Sequence, residues 1–325
     1  MTNSTAESIP PFSVDGKTAI VTGAGSGINL AFASLLLSRT CNVVIADIAL
    51  RPEAEQLIAN HEAPDASPRA IFVRTDVTSW ADLARMFDHA LATFGEFHIL
   101  CPGAGIYEPY WSNFWHPPGS QASRDKEDAD RYALFDINVT HPIRATQMAL
   151  SHWLHPESPA SNPVSPQNPR RVVHISSIAG QMPNVVCPMY GASKFAVTGF
   201  VRCLGPLEQT VGVRVNGVGP GLIRTPLWTD NPEKMMLLDE EKDGWATPEE
   251  VAVAMLRCVE ESDLPGGTIL EVVRNTTRKV ELVNDPGPGA AGGNASTASN
   301  NGKGSEQILV WLQEKEMWGP RPKAV

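Results

Sequence analysis

The sequence predicts an α/β domain built on a doubly wound parallel sheet. Three observations carry that expectation. Short β-branched runs alternate with helix-patterned stretches along residues 17–273, a glycine-rich turn joins the first run to the first helix, and an aspartate closes the second run. Such alternation buries a parallel sheet between two helical layers. Right-handed crossovers then make double winding the economical topology.

The first strand is expected at residues 17–22, KTAIVT, and a helix follows the glycines. Residues 42–46 form a second apolar strand ending on Asp47. Pro52 stands where a helix tolerates proline, in its first turn. Residues 70–74 read as strand three and 78–94 as a helix capped by Thr78 or Ser79. Residues 97–101 read as strand four. A long helix is expected over 124–153, strand five at 171–175, a helix over 188–211, strand six at 213–218, a helix over 247–261 and a last strand at 268–273. Residues 155–169 hold Pro156, Pro159, Pro163, Pro166 and Pro169, which excludes helix and inner strand. The expected organisation is a loose leader at 1–15, one domain at 16–275, and a Gly/Ala/Ser/Asn-rich linker with an amphipathic helix in 276–325.

Composition narrows the function. The 325 residues are 42% hydrophobic, enough for one large core. A net charge of −10 disfavours nucleic acid and anionic membrane as partners. No apolar run approaches the roughly 18–20 residues of a membrane span. The start, MTNSTAESIPPF, has neither the basic region nor the apolar core of a secretory signal. The cysteines at 41, 101, 187, 203 and 258 are scattered and form no C-x-x-C pair, so no disulfide framework or zinc site is expected. A cytoplasmic protein is the expectation.

Thr22-Gly23-Ala24-Gly25-Ser26-Gly27-Ile28-Asn29 lies between a strand and a helix. Glycines there allow a tight turn and let pyrophosphate approach backbone N–H groups at the helix start. A plain tight turn has similar spacing. Asp47, 24 residues after Gly23, stands where a dinucleotide's ribose hydroxyls would be accepted, although a helix cap also suits it. Its charge repels the additional phosphate of NADP, so NAD is the expected cofactor and NADP the less expected one. Arg51 lies close enough to moderate that repulsion.

Tyr190-Gly191-Ala192-Ser193-Lys194 puts a phenol and an ammonium four residues apart, on one helix face. A fixed positive charge favours phenolate, and a phenol so tuned can move a hydroxyl proton. Y-x-x-x-K alone is a common spacing. Here Ser177 closes a strand 13 residues earlier, at the carboxyl edge where ligands bind in such sheets.

Together these residues resemble the short-chain dehydrogenase/reductase family over residues 17–273, which implies a Rossmann fold. The resemblance implies that Ser177, Tyr190 and Lys194 are catalytic with Asn138, from Phe135-Asp136-Ile137-Asn138-Val139, holding a water that links Lys194 to solvent. It implies cofactor contacts from Gly23, Gly25, Ser26, Gly27 and Ile28. Asp76 and Val77 would meet the adenine ring, Pro220 and Gly221 belong to the segment after strand six, and Ile223 and Thr225 would meet the nicotinamide carboxamide. The family's N-N-A-G becomes Pro102-Gly103-Ala104-Gly105, of which Gly103, Ala104 and Gly105 are expected at the cofactor. Two departures stand out: Asn29 replaces a third glycine, and Gly103 lacks an amide that braces neighbouring strands. The glycine turn and an aromatic loop also resemble the hydroxyprostaglandin-dehydrogenase-like branch.

That loop carries Tyr107, Tyr110, Trp111, Phe114 and Trp115. With Met182, Val185, Val186, Cys187, Leu227 and Trp228 it suggests an apolar pocket for a small-molecule secondary alcohol or ketone on an apolar or aromatic scaffold. Packing within the domain or against another subunit would use the same side chains. His116, His141 and His174 share no ligand motif, so no metal is expected. A competing reading is a cofactor-binding protein without redox chemistry, either a regulatory sensor or a cyclase-like scaffold. The family resemblance implies a homodimer or homotetramer.

Overall fold

The computed structural model describes residues 11–157, 162–230, 235, 239, 243–281 and 301–315. Within them the strands are β1 Thr18–Thr22, β2 Asn42–Asp47, β3 Ala70–Arg74, β4 Ile99–Pro102, β5 Arg170–Ile175, β6 Val213–Pro220, β7 Ile269–Val273 and β8 Thr276–Lys279. They form one sheet in the order β3-β2-β1-β4-β5-β6-β7-β8. All described pairings are parallel except β7 with β8. This is the doubly wound Rossmann sheet expected from the alternation. The strand order reverses between β1 and β4, the switch point where a cleft opens beyond the carboxyl ends.

Two helical layers cover the faces. On one side α1 Gly27–Ser38, α2 Pro52–Ala59 and α9 Pro248–Glu260 bury Phe32, Leu36, Ile58, Met255 and Val259 against Val21, Val43 and Ile45. On the other, α3 Trp80–Phe94, α5 His141–Leu154 and α6 Pro188–Cys203 bury Leu83, Phe87, Ala149, Trp153 and Val201 against Ile20, Val44 and Val172. The odd and even residues of β1 and β2 thus serve opposite cores, which explains their unbroken apolar runs. Ser79 caps α3, its hydroxyl accepting from Asp82 N. Thr247 and Glu250 make a reciprocal capping box on α9.

Three elements depart from expectation. The long helix begins at Ala133, not at 124. Asp125 instead accepts from Ser112 Oγ at 2.7 Å and Ala133 N at 3.0 Å, so the charged run is held as turns. From Ala133 a short helix, α4 Ala133–Phe135, enters a π-helical turn at Asp136–Thr140 before α5. The helix expected over 188–211 breaks after Cys203, because Pro206 cannot donate to the preceding turn. Leu207–Val211 forms a separate helix, α7. The exposed strand β8 had no apolar pattern to betray it.

The remaining helices are α8 Pro226–Thr229 and α10 Asn301–Gln313. Helix α10 coincides with the start of the expected terminal helix. Leu312 is buried, and His155 Nε2 donates to its carbonyl at 3.0 Å. The expected leader at 1–10 and most of the expected linker lie outside the described residues.

Candidate active site

A cleft of about 520 Å³ opens at the β1/β4 switch point. One end is walled by Gly23, Ser26, Gly27 and Ile28 of the turn, with Asp47, Asp76 and Val77 beyond β2 and β3. Gly103, Ala104 and Gly105 line its floor. Pro220, Gly221, Ile223 and Thr225 close it from the β6 side, and Ser177, Tyr190 and Lys194 stand at the far end. Of the expected cofactor residues, Gly25 alone lies outside this wall. Its N–H donates to Asp47 Oδ2 at 2.8 Å, and a Cβ there would meet Ala49 O at 2.2 Å. Gly25 therefore seats the aspartate.

The turn fits a pyrophosphate. Gly23 and Gly27 have φ of +72° and +60°, and a Cβ on Gly23 would lie 2.7 Å from Ala104 Cα. Ser26 stands at the N-cap of α1 with no side-chain cap bond, so the first N–H groups of the helix face the cleft uncapped. Asp47 Oδ1 accepts from Ile48 N at 2.7 Å, which fixes the second carboxylate oxygen. Arg51 is paired with Asp230 and not with Asp47.

The two departures meet each other. Asn29 is buried beneath the turn, and Cys101 Sγ donates to its Oδ1 at 3.7 Å. A Cβ built on Gly103 would lie 2.3 Å from that same oxygen. The carboxamide on α1 occupies the volume that a side chain at 103 would take.

At the far end Ser177 follows β5 and caps a 3-10 turn at Ile178–Gly180. Its hydroxyl donates to Pro220 O at 3.3 Å and also bonds the Tyr190 phenol. Lys194 Nζ lies 5.4 Å from the Tyr190 ring centre and donates to Ile175 O at 3.0 Å. Burial pushes the phenol up to about 12, against the lowering expected from the lysine, while the Ser177 bond pulls it down in part. Burial also pushes Lys194 down to about 8. Desolvation therefore outweighs the pair's mutual field here.

Asn138 does not reach the cleft wall. It sits in the π-helical turn, where Oδ1 accepts from Ile106 N at 2.9 Å. Nδ2 donates to Ile106 O at 2.8 Å and Ser193 Oγ at 3.2 Å. Between it and the lysine lies bare Gly105, whose added Cβ would be 3.3 Å from Asn138 Oδ1 and 3.7 Å from Lys194 Nζ.

Sequence reading missed Glu108 and Trp245, and weighed His141 only as a metal ligand. Glu108 is buried, and its carboxylate accepts from Phe114 N at 3.1 Å and Tyr190 N at 2.8 Å. A lone acid among aromatics was the available signal, but nothing named its partners. His141 is wholly buried and links the π-helical turn to Thr22. The aromatic loop is only partly at the site. Tyr107 packs on Tyr190 at 4.7 Å and on Trp228 at 5.1 Å, and Trp228 meets Trp245 at 6.1 Å. Tyr110, Phe114 and Trp115 are exposed, as are Met182, Val185 and Val186. Cys187 is buried and hydrogen-bonds Tyr107.

Among the described residues no helix is long and apolar enough to cross a membrane. Nor do any three His, Cys, Asp or Glu among them cluster as metal ligands.

The sequence pattern defining the short chain dehydrogenases matches residues 17–236. The cis-4-hydroxycyclohexanecarboxylate dehydrogenase of Sinomonas cyclohexanicum is 33% identical over 242 residues, covering 74% of this chain and 87% of that protein. A hydroxynaphthalene reductase-like protein of Metarhizium robertsii is 28% identical over 224 residues, 68% of this chain and 73% of the relative. Among solved structures, the 3-ketoacyl-(acyl-carrier-protein) reductase from Brucella melitensis complexed with NADH has the same fold. Its TM-score is 0.63 at 22% identity, over 80% of this chain and 98% of that one. With a matching pattern over most of its length and a matching sheet, this chain belongs to the short-chain dehydrogenase family, oxidoreductases of alcohol and ketone groups.

Proposed function

We propose that the chain interconverts a ring-borne secondary alcohol and its ketone with a nicotinamide dinucleotide, NAD in preference to NADP, using Tyr190 as the proton-transfer residue. The observation that carries this reading is the shared cleft: Ser177, Tyr190 and Lys194 stand at one end, and the glycine turn with Asp47 at the other. The cofactor, when bound, supplies the hydride acceptor or donor. Residues 23 and 26–28 would hold its pyrophosphate, Asp47 its adenosine ribose, and Ile223 with Thr225 its nicotinamide end.

The chain's own residues handle the proton. The Ser177 hydroxyl hydrogen-bonds the substrate oxygen. In reduction the phenol O–H of Tyr190 gives its proton to that oxygen, and in oxidation Tyr190 takes it back. Lys194 is largely charged at neutral pH and sits beside the ring, so its field favours phenolate. Asn138 ties Ile106 to Ser193 and keeps the backbone behind the lysine in place. NAD preference is supported by the seated Asp47 carboxylate and by the diversion of Arg51 to Asp230. A ring substrate is supported by the aromatic faces of Tyr107 and Trp228 beside Tyr190, and by the hydroxylated rings in the names of the two relatives.

The test is absorbance at the reduced-nicotinamide band across a panel of cyclic secondary alcohols and ketones, with NAD(H) and NADP(H) compared. Tyr190→Phe should lower kcat by roughly 10²- to 10⁴-fold while NADH binding, followed by fluorescence, stays nearly unchanged. Wild-type turnover by that variant removes Tyr190 from the mechanism.

A further inference from the structure

Helix α6 presents Tyr190 and Lys194 but has no side-chain cap of its own. Cys187 holds the N-cap position without a cap bond, and Pro188 follows. The first N–H groups of a helix need partners when buried. The partner comes from 82 positions earlier in the chain: Glu108 Oε2 accepts from Tyr190 N at 2.8 Å, and the carboxylate also accepts from Met189 N. Its other oxygen accepts from Phe114 N at 3.1 Å, and its carbonyl accepts from Asn113 Nδ2 at 3.1 Å. One buried carboxylate therefore holds both the start of the Tyr190 helix and the turn of the aromatic loop. The preceding residue, Tyr107, lies against the Tyr190 ring.

We propose that Glu108 is a positioning residue: its carboxylate caps the helix carrying Tyr190 and locks Tyr107 over the phenol, so that substrate loop and proton-transfer residue move as one unit. The inference rests on the reading of Tyr190 as the proton-transfer residue. A carboxylate suits the task because its two oxygens accept only, and three N–H groups converge on them. Glutamine could keep the oxygen facing Met189 and Tyr190, but its amide would then turn N–H against the N–H of Phe114. The device costs stability, because burial raises the Glu108 carboxyl above the usual range despite those bonds. An ionised acid held in this way is disfavoured by the fold at neutral pH.

Glu108→Gln, Glu108→Asp and Tyr190→Phe are compared as full-length proteins by hydrogen exchange of peptides covering 108–116 and 186–194, by thermal midpoint, and by kcat and KM on the first alcohol that the wild type oxidises with NAD. For Glu108→Gln, faster exchange is expected in the 108–116 peptide. The thermal midpoint should fall modestly, because the Phe114 N–H loses its acceptor, and kcat should drop roughly 10- to 100-fold from misplacement of the phenol. Glu108→Asp, which keeps both oxygens on a shorter stem, should recover part of that loss. Unchanged exchange in both peptides overturns the inference, and so does faster exchange with kcat intact. If Glu108→Gln does not fold, Glu108→Asp decides: a lowered thermal midpoint with wild-type kcat makes Glu108 merely structural and overturns the proposal. Full activity of Tyr190→Phe removes the underlying mechanism, whereas an inactive Tyr190→Phe beside an unaffected Glu108→Gln removes only the role of Glu108.

Discussion

Replacing Gly103 or Asn29 separately asks different things of the cleft floor. Gly103→Asn alone brings a Cβ to 2.3 Å from Asn29 Oδ1, an overpacking that costs about 1–3 kcal/mol. Asn29→Gly alone puts glycine in α1, at roughly 0.3 kcal/mol relative to asparagine, and strips Cys101 of its acceptor. Made together, the two changes put the carboxamide at position 103, just after β4, and vacate the space it left on α1. The double variant is expected to be less destabilised than the sum of the singles by at least about 1 kcal/mol, as contacting sites couple. Urea midpoints with NADH binding would check it, and simple additivity would mean the two positions are independent. Both departures were visible in the sequence, but their contact was not, since 29 and 103 stand on different elements. Ser177, Tyr190 and Lys194 were legible because one strand and the next helix carry all three. Glu108 was not, because its partners lie across the fold.

The π-helical turn at Asp136–Thr140 shows why an element can be needed and yet unreadable. His141 N donates to Asp136 O, five residues back, so the next bond of that pattern would come from residue 142. Pro142 has no N–H, and Ile137 O is left over. The His141 ring fills the gap, Nδ1 donating to Ile137 O at 3.2 Å. That fixes Nε2 as acceptor for the Thr22 hydroxyl at 3.1 Å, and Thr22 Oγ1 accepts from Ala104 N at 3.2 Å. The glycine turn, the β4 floor and the Asn138 turn are thereby joined through one neutral imidazole. His141→Leu leaves the buried Thr22 O–H without an acceptor and the part-buried Ile137 carbonyl without a donor, together costing about 1–3 kcal/mol. The variant should lose stability in urea by that order and bind NADH more weakly; an unchanged midpoint would make the network inert. Helix periodicity alone announces none of this. It also overextended the helix to 124, where the acids cap turns instead. The central strands β1, β2 and β4 were legible because both of their faces are apolar and buried, whereas β8, exposed along its length, gave no such signal.

At the scale of the whole molecule, the packing that makes the sheet rigid also makes the fold sensitive to acid. His98, His141 and His174 are buried as neutral rings, and burial pushes them down to about 3, 4 and 3 from an ordinary 6.5. Each has a reason to stay neutral: His98 Nδ1 accepts from Thr18 N, His141 Nε2 accepts from Thr22, and His174 packs edge-on to Phe200. Below about 6.5 the unfolded chain binds these protons and the folded chain does not. Their contribution is therefore complete above 6.5 and drains as pH falls toward 4, each ring costing about 1.4 kcal/mol per pH unit. On the alkaline side opposing groups overlap. Lys194, held at about 8, gains stability as pH rises toward 10.5, while Cys41 and Cys258, pushed up to about 12, lose it above 9. The acid limb is accordingly the cleaner measurement. His174→Met is the informative variant, because Thr146 Oγ1 keeps its bond to Pro142 O at 2.8 Å when the ring is gone. Unfolding free energies from urea, taken between pH 5.5 and 4.5, should fall with a slope about one proton shallower in His174→Met than in the wild type. Equal slopes would mean that His174 takes up a proton inside the folded sheet, and that its burial does not hold it neutral.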